Sequence, residues 1–167
     1  MKKILSIVLA LAMVLTMAAC GSADAEPTTP AAAETAGPAS ALELLEIVWA
    51  QYGDEEKFPI IGGNIEANIM DAPGNYDMAY AENMTYNLLV PAEQIENVSE
   101  AASMIHMMNA NTFTCGAFKL AEGVSAEDFG AAMLAAVQGN MWMCCFPARL
   151  LIQSVGSEYV VVAFGIN

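Results

Sequence analysis

The sequence predicts an α+β fold, a two-layer sandwich in which an antiparallel four-stranded sheet packs on about two helices. Two helical stripes and two strand pairs carry that expectation. They occur in the order helix, irregular stretch, hairpin, helix, hairpin. Together they make a single domain over residues 40–167, behind two segments of different character.

The elements follow from local chemistry. Ser40 and Glu43 have capping-box spacing, and Leu42, Leu45, Trp49 and Tyr52 then share one helical face. Gly53 stops that helix, which spans 41–52. Residues 53–86 carry turn chemistry, at Phe58-Pro59-Ile60-Ile61-Gly62-Gly63 and Asp71-Ala72-Pro73-Gly74-Asn75, and read as loop with a helical turn over 80–86.

Residues 98–108 fit two patterns. Met104, Met107 and Met108 suit a helix face, whereas Ala102, Met104, His106 and Met108 alternate as in a strand. The Asn109-Ala110-Asn111 turn and a strand over 112–120 favour a hairpin. Ser125 then starts a helix with Phe129, Ala132, Met133, Ala136 and Val137 on one stripe, ended by Gly139-Asn140. Residues 149–155 and 158–164 flank Gly156-Ser157 as a second hairpin with a two-residue loop. The Val160-Val161-Val162 run marks a strand that lies centrally or is covered on both faces.

Ahead of the domain stands an address. Met1-Lys2-Lys3 is basic, and the apolar run from Ile4 to Met17 is shorter than the roughly 20 residues a membrane span needs. Met17-Ala18-Ala19-Cys20-Gly21-Ser22 resembles a bacterial lipobox, with Met17 where Leu is usual. That resemblance implies a signal peptide over 1–19, a lipid on Cys20 with palmitate-type acyl chains, and residence on the outer face of the cell membrane. Residues 20–39, rich in Ala, Thr, Pro and Glu, read as a disordered tether.

Charge narrows the partners. Beyond residue 19, Lys57, Lys119 and Arg149 face nineteen carboxylates, a net charge of −16. Such a surface repels nucleic-acid phosphates and anionic headgroups, so membrane contact falls to the covalent lipid.

Several stretches resemble a family of small Gram-positive lipoproteins that carry a domain of unknown function. They are Tyr52-Gly53-Asp54, Tyr86, Met107-Met108-Asn109-Ala110-Asn111-Thr112-Phe113, Phe118-Lys119-Leu120-Ala121-Glu122-Gly123 and Glu158-Tyr159-Val160-Val161-Val162. The likeness runs from Leu42 to Gly165 and implies an extracytoplasmic lipoprotein. It brings no catalytic residue with it.

Candidate chemistry is sparse. His106 is the only histidine, and Cys115 or Cys145 beside it would make a thiol–imidazole pair without any nucleophile motif around it. Cys115 has two possible disulfide partners, Cys144 and Cys145, or remains a reduced core residue. His106, Met107, Met108, Cys115, Cys144 and Cys145, with Met104, Met141 and Met143 nearby in sequence, are ligand types suited to Cu(I), although their spacing fits no metal motif. Asp71, Asn75 and Asp77 lack EF-hand spacing and read as a solvated turn. Tyr76, Tyr80 and Tyr86 are candidates to line a ligand groove. The resulting expectation is a non-enzymatic module, without a cofactor, that binds a protein or small ligand. Cu(I) handling is the alternative.

Overall fold

The computed structural model describes residues 37–108, 113–142 and 146–165. Helix α1 (Ala41–Ala50) opens the domain, and the Ser40 hydroxyl accepts from the Glu43 N–H at 3.0 Å, as the capping spacing requires. Strands β1 (Ile60–Gly62), β2 (Ile69–Met70) and β3 (Gly74–Tyr76) follow, then a 3₁₀ segment and the short helix α2 (Met84–Asn87). β4 (Val98–His106), β5 (Thr114–Leu120), α3 (Ala126–Gly139), β6 (Arg149–Val155) and β7 (Tyr159–Gly165) complete the order.

All pairings are antiparallel, in the order β2-β1-β4-β5-β7-β6. β4 organises the sheet. One of its edges carries β5. Its other edge carries β3 against Ala101–Ser103 and β1 against Met104–His106, end to end.

Side-chain alternation explains the layers. In β5 and β7, Cys115, Ala117, Tyr159 and Val161 point to one face, and Phe118, Leu120, Val160, Val162 and Phe164 to the other. Both faces are apolar, so both must be covered. α1 buries Leu44, Leu45 and Trp49 on the first face, where the small side chains of Ala102, Cys115 and Ala117 admit it. α3 buries Phe129, Met133 and Val137 on the second, joined by Met84, Leu88 and Val90. The Phe118 and Phe129 rings meet there at 5.5 Å between centroids.

The α+β class and the antiparallel sheet therefore hold, and two details are corrected. The sheet has seven strands among the described residues rather than four. Helices lie on both of its faces, so the sandwich has three layers rather than two. The three extra strands are two or three residues long, too short to show a period of two. Of the 98–108 segment, Val98–His106 is a strand, and β7 is both central and doubly covered. The final turn is one residue longer than its sequence indicates: Val155 pairs with Tyr159, and Gly156 takes φ +62°.

Candidate functional site

A groove of about 320 Å³ opens at the β1 end of the sheet. One wall comes from the stretch that carries no readable periodicity, and the other from Asn87 and the end of β4. β1 ends at Gly62, where an added Cβ would lie 2.1 Å from the Gly74 nitrogen, so the two strands abut backbone to backbone. Gly63 then takes φ +82°, a left-handed turn that glycine adopts without penalty. The buried Ser103 hydroxyl donates to the Gly63 carbonyl at 2.9 Å and pins that turn to β4.

The next residue is a buried polar anchor. Asn64 is 1% exposed; its Nδ2 donates to Glu66 Oε2 at 2.7 Å, and its Oδ1 accepts from the Asp77 N–H at 3.3 Å. Asn64 thereby holds the 3₁₀ turn Ile65–Ala67 beside the segment that follows β3. Asn68 closes that turn by donating to the Ile65 carbonyl at 3.0 Å. Asn87, from α2, also lines the groove, and its Nδ2 donates to the Tyr76 hydroxyl at 3.2 Å.

Ile61 and Ile105, a cross-strand pair, supply apolar lining, with Ile65, His106 and Met107 completing it. The imidazole stacks on Phe58 at 5.4 Å between centroids, and its Nδ1 accepts from the Met108 N–H at 2.9 Å. The neutral ring must then carry its proton on Nε2. Asn68 Oδ1 and Asn87 Oδ1 meet no protein donor among the described residues. The groove thus combines carbonyl acceptors, one imidazole N–H and apolar side chains, and no carboxylate lines it among the described residues. Its size sits at the small end of ligand sites, which start near 300 Å³.

The candidate residues scatter. Tyr76 is buried, and its hydroxyl is pushed above the usual phenol range by burial, opposed by the Asn87 hydrogen bond and reinforced by the Glu66 charge. Tyr80 and Tyr86 are exposed, Tyr86 at 82%, and none of the three rings lines the groove. Asp77 caps a 3₁₀ segment by accepting from the Ala79 N–H at 2.9 Å.

Of the soft ligand types, Met104 and Cys115 face each other across β4 and β5 inside the core under α1. His106 and Met107 reach the groove, and Met108 is exposed. Cys115 is a free thiol, pushed up to about 12 by burial, and remains protonated at neutral pH. Cys20, Met143, Cys144 and Cys145 lie outside the described residues. No described helix is long and apolar enough to cross a membrane.

Sequence reasoning missed Asn64, Asn68 and Asn87. The available signal was five asparagines between positions 64 and 87, in a stretch read only as turns. No protein-family model, curated protein or solved structure matches the chain.

Proposed function

We propose that this chain is an extracytoplasmic lipoprotein, acylated on Cys20, whose domain binds a ligand non-enzymatically in the groove between Asn68, Asn87 and His106. The observation that carries the binding half is the groove's make-up: apolar side chains beside unmet carboxamide acceptors, with no carboxylate pair or activated nucleophile among the described lining residues. Such a lining suits an uncharged ligand bearing N–H or O–H donors and one apolar group, as in a short neutral peptide. The anchoring half rests on the basic start, the apolar run and the small residues before Cys20.

Titrating the full chain with short neutral peptides, followed by NMR, tests the first half. Resonance shifts are expected at Asn68, Asn87 and His106, and Asn87→Ala should weaken binding about tenfold by removing one buried polar contact. Shifts confined to other surfaces would defeat the groove. Mass spectrometry of the mature protein tests the second half, where an acyl group on Cys20 is the expected result and an unmodified Cys20 defeats it.

A further inference from the structure

We infer that the outer edge of β6 is a self-pairing surface, through which two copies of this chain join into one continuous antiparallel sheet. β6 ends the strand order, and β7 is its only strand partner among the described residues. Its seven residues, Arg149–Val155, pair with β7 without a register shift. Leu150, Ile152 and Ser154 therefore turn backbone N–H and C=O groups outward, and among the described residues only the Ser154 carbonyl of these has a protein partner, accepting from Gln153 Nε2 at 3.0 Å.

Sheets normally blunt such an edge with lysines, a proline, a bulge or a very short strand. β6 has none of these. Its only charge is Arg149, at the first position, and Pro147 precedes the strand. Each face of the strand carries apolar side chains, Leu151 and Val155 on one and Leu150 and Ile152 on the other. On the α1 face, Leu151 is 55% exposed, because α1 lies over β4 and β5 instead. On the other face, α3 crosses β6 at Gly130, where an added Cβ would lie 3.1 Å from Ile152. Leu134, 40% exposed, sits on the flank of α3 opposite Ala132 and Ala136, which border a cleft with Leu89.

Charge selects the occupant. Residues 129–157 contain no Asp or Glu, whereas residues 37–128 hold fifteen carboxylates against Lys57 and Lys119. A cationic partner is drawn to that acidic surface and gains nothing at the β6 edge. What fits the edge is an extended strand of similar length that brings no carboxylate and no charge at its centre. A second β6 is such a strand. Pairing about a two-fold axis sends the two Arg149 side chains to opposite ends of the joint and keeps each Leu151 on the same face. Depletion of charge at the centre and acids beyond the rim is the composition of a protein–protein interface.

Sedimentation of the full chain in density-matched detergent, over a wide concentration range, tests the proposal. A two-copy species is expected. It should strengthen as salt rises, because salt screens repulsion between the two acidic bodies while leaving strand pairing intact. Leu151→Lys should give loss of the dimer, and circular dichroism checks that the variant still folds. Gln153→Lys, at an exposed site on the same face, repeats the test should Leu151→Lys fail to fold. Ile69→Lys charges the opposite edge of the sheet, at β2, and should leave the dimer intact. A monomeric wild-type chain overturns the proposal, whether the edge then takes another protein or stays bare. So does a dimer that survives both β6 substitutions or is lost with Ile69→Lys.

Discussion

The two ends of the sheet are built on different principles. At the β6 end, two seven-residue strands pair residue for residue, and the apolar side chains of β7 alternate onto covered faces. At the β1 end, strands of two or three residues are held by a glycine–glycine contact, a buried serine hydroxyl and a buried asparagine. The regular end draws its stability from repeated burial, which tolerates the loss of any one contact. The irregular end depends on single contacts with no substitute. The groove forms at that second end, since a shaped polar rim needs backbone that has left the ladder.

The contrast predicts a steep penalty at the contact between β1 and β3. Gly62→Ala places a Cβ 2.1 Å from the Gly74 nitrogen and 2.4 Å from the Ala72 carbonyl oxygen, so backbone must move. A loss of more than about 4 kcal/mol in denaturant unfolding is expected, among the largest effects of one substitution. A loss below about 1 kcal/mol would show that this end yields as readily as the other.

Ser103→Ala is the next test. It removes the donor from the buried Gly63 carbonyl without changing the apolar core. The expected cost is about 1–3 kcal/mol, with faster amide exchange at Gly63 and Asn64 than in β7. Equal exchange at both ends would remove the distinction.

The last test concerns the middle of the sheet, and its effect appears only in alkali. Burial lifts the Cys115 thiol from an ordinary value of 9.0 to about 12, so the folded state holds a proton that the unfolded chain releases. Its contribution is fully present below about pH 9 and is lost as pH rises toward 12. One such proton gives a decline of about 1.4 kcal/mol per pH unit across that window. Cys115→Ala should flatten the decline while leaving the spacing of the two ends unchanged. An alkaline limb of the same slope in that variant would assign the effect to other groups.

Legibility followed the same division. α1 and α3 show their caps and stripes openly: Ser40 and Ser125 accept from the Glu43 and Asp128 N–H groups at 3.0 and 3.2 Å. The Val160-Val161-Val162 run indicated a strand lying centrally or covered on both faces, and β7 is both. The same clue, applied to Cys115 through Leu120, points to helices on both faces. The groove was legible only as an unexplained abundance of asparagine and glycine. His106 was singled out because it is the sole histidine, and it does reach the groove rim. Its neighbours Asn68 and Asn87 are nineteen positions apart, with no pattern linking them.

By itself, the sequence determined the α+β class, the two main helices, the two long hairpins, the acidic body and the acid-free stretch that becomes the β6 edge. Each of these follows from composition or from a period that neighbouring residues display along the chain. Tertiary structure alone decided that β1, β2 and β3 exist, that β1 and β3 line up along one edge of β4, and that a groove opens beside β1, the turn after it and the end of β4. Strands so short have too few residues for a period and too few hydrogen bonds to stand alone. They form because β4 presents an open edge and because Gly62 and Gly74 lack the side chains that would keep them apart.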